Sequence, residues 1–153
     1  MTAVQTFLPF PSFVDSATVL DRARLGKQRV EALQVLKAVT IPTYGWRNHP
    51  AAVMWRGFVP ALTKYALDMT DEWIERGHPD TVRSQLLEFA DVDSLAQTDL
   101  EMPPWLGDDA FHESHRANLV RKDPEFYTPI FGEVNVDLPY VWPGDASAKA
   151  LET

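Results

Sequence analysis

Arg24, Lys27, Gln28 and Glu31 follow an i, i+3, i+4, i+7 spacing that puts four polar side chains on one face of a helix, with Arg22 and Arg29 flanking them. A carboxylate among guanidinium and ammonium groups stays ionised and held in place, which suits it to stabilising a developing cation or orienting a water. The same spacing also serves a solvated, ion-paired helix face. A second group is Trp46, Arg47, Asn48 and His49, just before Pro50, with Trp55 and Arg56 one to two turns on. It sits at a helix N-terminus, where free backbone N–H groups favour anions. Aromatic rings interleaved with arginine suit the stacking of a base while its phosphate is held, although each Trp taken singly is at home in a core. A third group, His112, His115 and Arg116, shares one helical face. Two imidazoles with only Glu113 beside them make a thin ligand set, so no metal is expected and these residues read as lining a polyanion site. The alternative is that both histidines bond within the helix while Arg121 and Lys122 complement its dipole.

The charge pattern bears on the partner. The 153-residue chain carries a net charge of −8, which opposes binding to a polyanion. Yet Ser16 to Lys64 holds 8 Lys or Arg against only Asp21 and Glu31, while Ser84 to Phe111 holds 7 acids and no base. The basic first third is the expected face for nucleic acid. Cysteine is absent, which excludes disulfides, thiolate metal ligation and a thiol nucleophile. No signal-like start and no run of eighteen apolar residues is present, so a soluble, cytoplasmic protein without membrane partners is expected. GxGxxG and Walker-type phosphate loops are missing as well.

These groups need helices to position them. Asp15 and Ser16 are N-cap types, and the pattern predicts one helix from Ala17 to about Val39, closed by Pro42. A second long helix is expected from Ala51 to about Arg76, with Gly57 and Pro60 as points where it would kink. A third from Thr81 to Ala90 would be capped by Asp80, and Asp91 to Gly107 reads as loop. Asp108 or Asp109 opens a fourth helix to about Arg121, and Asp123-Pro124 restarts a short helical stretch through Phe131. Val134 to Pro143 reads as an extended segment packed over the body. With 45% hydrophobic residues and no strand alternation, the expectation is all-α: one compact domain of about four helices over 1–143 and a flexible tail over 144–153.

Several stretches resemble the pyrimidine dimer DNA glycosylase family, the endonuclease V type, and its bacterial branch most closely. They are Thr6-Phe7-Leu8-Pro9, Leu20-Asp21-Arg22 through Leu25-Gly26-Lys27-Gln28-Arg29-Val30-Glu31, Gly45-Trp46-Arg47-Asn48-His49-Pro50, and Pro104-Trp105-Leu106-Gly107 through His112-Glu113-Ser114-His115-Arg116. The resemblance implies a helical protein that excises a damaged pyrimidine from DNA and cleaves the abasic strand without a cofactor. It further implies that the nucleophile is the α-amino group exposed when the initiator Met is removed, here that of Thr2, with a supporting glutamate for which Glu31 is the candidate. An amine with a pKa of about 7.7–8.0 is partly neutral at neutral pH and can form a Schiff base. The family-like block begins at Thr6, so Thr2 stands on a short added segment, and Lys27 is the next amine to consider. The expected function is a DNA repair glycosylase with abasic-site lyase activity acting on damaged duplex. Two alternatives stay open: a nucleic-acid or nucleotide binding module without chemistry, and a hydrolase of a small phosphorylated or nucleoside substrate using His112, His115 and Glu31.

Overall fold

A computed structural model describes residues 5–45, 47–90 and 100–143. Among these there are seven helices and no strand, so the all-α expectation holds with more and shorter helices than the sequence pattern suggested. They are α1 (Phe13–Val19), α2 (Arg22–Thr40), α3 (Pro50–Val53), α4 (Val59–Glu75), α5 (Arg83–Leu86), α6 (Asp109–Lys122) and α7 (Pro124–Phe131). No helix of the described residues is long and apolar enough to cross a membrane.

The expected first helix is two helices. α1 starts earlier, where the Ser12 hydroxyl accepts from the Asp15 amide at 3.1 Å, and it stops at Leu20, whose backbone is extended. Asp21 then caps α2 by accepting from the Arg24 amide. The break has a tertiary cause: the Tyr127 hydroxyl, 106 residues away, accepts from the Asp21 backbone amide at 3.0 Å and donates to its carboxylate. The expected second helix is likewise divided, into α3 and α4. Gly57 adopts φ 85 between them, and Pro60 lies in the first turn of α4, where its missing N–H costs nothing. α5 is shorter than expected and its N-cap is Val82 rather than Asp80, although the Asp80 carboxylate accepts from the Val82 and Arg83 amides in the turn before it. α6 and α7 match the sequence reading, capped by Asp108 and Asp123.

α2 and α4 form the central pair, with α1 against α4, α3 against α2 and α7 against α6. Leu25, Ala32 and Leu36 of α2 meet Ala61, Leu62, Tyr65 and Met69 of α4 in one core with Leu8, Trp55, Phe111 and Tyr127. Burying such side chains is worth about 1.5–3 kcal/mol each, which outweighs weak local helix preference. Gly26 shows packing overriding propensity: glycine inside a helix costs about 0.5–1 kcal/mol relative to alanine. A Cβ there would lie 2.7 Å from Cζ3 of Trp73, so glycine lets that ring lie against α2. Residues 134–143 form neither helix nor strand and are strapped to α6, where the Val141 amide donates to Ser114 at 3.1 Å and Asn118 donates to the Leu138 carbonyl at 3.2 Å.

Candidate active site

Residues 5–9 run without helix or strand through a helical body, so their backbone groups cannot be satisfied by a ladder and need side chains instead. The helices supply them. Buried Gln28 donates through Nε2 to the Gln5 carbonyl at 2.7 Å, and its Oε1 accepts from the Phe7 amide and, at 2.6 Å, from the Tyr65 hydroxyl. The Trp55 indole donates to the Thr6 hydroxyl at 3.0 Å. Leu8 donates its amide to His115 Nδ1 at 2.9 Å, and its carbonyl lies 2.8 Å from His112 Nδ1. Arg116 donates to the Pro9 carbonyl at 2.7 Å.

This register delivers Gln5 to Glu31. The Gln5 backbone amide faces the half-buried Glu31 carboxylate. Burial raises its pKa, opposed by Lys27 and by that amide. Lys27 Nζ lies 3.7 Å from Glu31 with its side chain 65% exposed, an ion pair at the surface. Tyr65, buried beneath, has its hydroxyl pushed up by burial and by the nearby Glu31 charge. Tyr140 of the strap is raised by burial, and Glu31, Arg24 and Arg121 all act on it. Arg24 lies 3.2 Å from Asp21 and over the Tyr127 ring. Glu31 is thus a partly desolvated carboxylate beside one cation, Lys27, able to stabilise a positive centre formed next to an anionic chain.

Other expected site residues are placed elsewhere. His112 and His115 are 1% and 0% exposed, so they do not line a polyanion surface. His112 Nε2 accepts from the Gly107 amide at 2.9 Å, which leaves Nδ1 as the donor to Leu8. Burial and the neighbouring His112 lower His115 to about 3, which keeps it neutral. With both rings spent on the backbone of Leu8, the small-substrate hydrolase reading loses its two imidazoles. Gln28, expected at a nucleic-acid surface, is buried for the reason given above. Arg29 is also internal: its guanidinium lies 4.8 Å from the Trp73 ring centroid and 2.6 Å from Asp80, with side-chain exposures of 15% and 4% for the pair. Arg116 is half-buried on Pro9.

The Arg47 to His49 connection is held by its own side chains. Arg47 donates to the Pro42 carbonyl at 2.8 Å, Arg56 donates to the Arg47 carbonyl and to Asn48 Oδ1, and His49 Nδ1 caps α3 at the Ala51 amide. Arg47, Asn48 and Arg56 remain exposed, while burial lowers the pKa of His49. Trp46 and Thr2 lie outside the described residues. Arg22 is exposed on α2 and lines an open groove of about 500 Å³ with Ala23, Gly26, Lys27, Arg29 and Trp73. Among the described residues no group of three His, Cys, Asp or Glu stands where it could hold a metal ion. Tyr65 and Tyr140 were not expected at the site. Tyr65 repeats on the apolar face of α4 like any core residue, and nothing in the sequence pairs it with Gln28, 37 positions away.

Residues 4–85 match the family described as pyrimidine dimer DNA glycosylase, more than half of the chain. The chain belongs to that family. The match takes in the Gln5 to Pro9 segment, all of α2 with Glu31, and α4 with Tyr65. It therefore covers the elements that carry Glu31, Gln5 and Tyr65, and it assigns the protein to a family of DNA repair glycosylases. α6, α7 and the strap lie beyond the matched residues. Comparison with curated proteins gave no match, and comparison with solved structures gave none.

Proposed function

We propose that the protein excises a damaged pyrimidine from duplex DNA and cleaves the resulting abasic strand through a Schiff base on the α-amino group of Thr2, with Glu31 as the supporting carboxylate. The observation that carries this reading is the contact between Glu31 and the Gln5 backbone amide. Thr2 is three residue steps from Gln5, a span of at most about 10–11 Å of extended chain. An amine at Thr2 is therefore within reach of Glu31 once Met1 is removed. In the proposed reaction its lone pair attacks C1′ of the damaged nucleotide, the glycosidic electron pair leaves with the base, and the C1′–O4′ bond then breaks, O4′ taking up the proton released by the amine, to open the sugar ring and leave an iminium. Glu31 offsets the positive charge of the iminium, and loss of a C2′ proton then expels the 3′ phosphate. Lys27 is the less suitable nucleophile, because its nitrogen is engaged in the ion pair with Glu31. Arg22, Arg47, Asn48 and Arg56 are exposed and suited to backbone phosphates.

The test is borohydride trapping on a labelled duplex holding one abasic site or one cyclobutane dimer. A covalent adduct is expected that survives Lys27→Ala, disappears when the terminal amine is blocked, and falls steeply in Glu31→Gln. An adduct abolished by Lys27→Ala alone would move the chemistry to that side chain. No adduct and no nicking on either duplex would sink the glycosylase reading and leave a binding module.

A further inference from the structure

The groove of about 500 Å³ between α2 and Trp73 of α4 has no part in the chemistry proposed at Glu31. Its lining combines two kinds of surface. Ala23, Gly26 and Trp73 supply an apolar wall, and Arg22, Lys27 and Arg29 supply cations from adjoining positions of α2. No carboxylate is among the described residues that line it. The size is ordinary for a small-molecule pocket.

The aromatic wall is fixed in place. The Trp73 indole donates to the Pro79 carbonyl at 2.8 Å, the His78 ring lies 4.2 Å from it, and the Arg29 guanidinium lies 4.8 Å from its centroid. A ring held on three sides loses little freedom when a ligand packs against it. Its edge rests on Gly26, where a Cβ would lie 2.7 Å from Cζ3, so the α2 backbone is bare beside the ring and a flat group can approach both. The cations differ in what they have left to give. Arg29 is tied to Asp80 at 2.6 Å, yet its Nε has no acceptor among the described residues. Lys27 is 65% exposed and has the pairing with Glu31 at 3.7 Å. Arg22 is exposed, with no hydrogen bond or ion pair among the described residues. An aromatic wall beside cations with donors to spare is what a base and a phosphate need together.

We propose that this groove is a binding site for a free mononucleotide, with the base against Trp73 and Gly26 and the phosphate between Arg22 and Lys27. The charge selects a terminal phosphate. A phosphate monoester carries roughly −1.5 to −2 near pH 7, whereas each diester inside a strand carries one charge, and the two accessible cations match the monoester. A guanidinium and an ammonium together suit such a group, since one supplies directional donors and the other a point charge. Because every base has a π-face, a purine and a pyrimidine should both be accepted.

Isothermal titration calorimetry of the full chain with thymidine 5′-monophosphate, without DNA, tests the site and needs no repair activity, so it can fail independently of the trapping assay. The monophosphate is expected to bind at least about tenfold more tightly than thymidine or inorganic phosphate, because each of those keeps only one half of the contacts. Arg22→Ala and Ala23→Glu, both at exposed positions, should each weaken it by about tenfold or more, the second by setting a like charge against the phosphate. Arg83→Ala removes a cation already paired with Asp71 and should leave the affinity unchanged. Equal affinity for inorganic phosphate and the monophosphate would overturn the nucleotide site and leave a bare cation patch. Undiminished binding in Ala23→Glu would put the nucleotide elsewhere on the surface and overturn the assignment to this groove. A 5′-phosphorylated oligonucleotide that binds when the free monophosphate does not would overturn the free nucleotide as the source.

Discussion

Replacing Gln28 tests whether residues 5–9 are held by the polar network that aims them at Glu31. Gln28→Ala removes the donor to the Gln5 carbonyl and the acceptor for the Phe7 amide, whereas the Tyr65 hydroxyl still has the Phe7 carbonyl at 2.8 Å. Two buried backbone groups are thus orphaned, at about 1–3 kcal/mol each, giving a loss of about 4 kcal/mol. That is a large share of the roughly 5–15 kcal/mol that folds such a protein. At about 2–4 °C per kcal/mol for a chain of this size, the melting temperature should fall by about 8–16 °C. Urea denaturation and thermal melting read the loss, and Gln28→Met separates its causes, because methionine refills the volume but makes neither bond. If Gln28→Met costs nearly as much as Gln28→Ala, the orphaned groups carry the effect. A loss under about 1 kcal/mol in Gln28→Ala would show that water or a shifted backbone replaces these bonds readily. The reasoning about how the segment is held would then be refuted.

Two more perturbations follow from where the structure puts expected site residues. Arg29→Ala should cost about 3–5 kcal/mol in urea unfolding, because it leaves the nearly buried Asp80 without its cation. Arg22→Ala, on an exposed position, should stay within about 0.5 kcal/mol of wild type while weakening duplex binding in an anisotropy titration; equal stability losses in the two variants would contradict the assignment. His115 gives a pH dependence. Its folded pKa, about 3, lies below its ordinary value of 6.5, so the unfolded chain binds the extra proton between those values. Its contribution is fully present above pH 6.5 and is lost on acidification at up to about 1.4 kcal/mol per pH unit. His112, also lowered by burial, acts in the same direction. Unfolding free energy should therefore fall less steeply from pH 6.5 to 5 in His115→Gln than in wild type; identical slopes would count against a neutral buried imidazole.

The helical class was legible because the chain lacks strand alternation and carries caps at Asp108 and Asp123 that work as local chemistry requires. The α2 face was legible too: Lys27 and Glu31 pair one turn apart, as their spacing demands. The breaks in the two long helices were harder, since Asp21 ends α1 through Tyr127 and Gly57 takes φ 85 only as the chain turns between α3 and α4. Surface and interior were least legible among the polar residues. His112, His115, Gln28 and Arg29 have the composition of a binding face, yet each meets a partner distant in sequence, at Leu8, Gln5, Phe7 or Asp80.

The sequence by itself determined the residue types and the helix faces that carry them, because capping and i, i+4 spacing act over one or two turns. It also determined family membership, through residues 4–85. Only the tertiary structure decided that an unpaired segment at 5–9 would be buried and that its backbone would consume the histidines and Gln28. An extended chain inside a helical core has no ladder to bond to, so side chains from distant helices must complete it. The same assembly brought Glu31 of α2 beside Gln5 and Tyr65, a grouping that no single stretch of sequence contains.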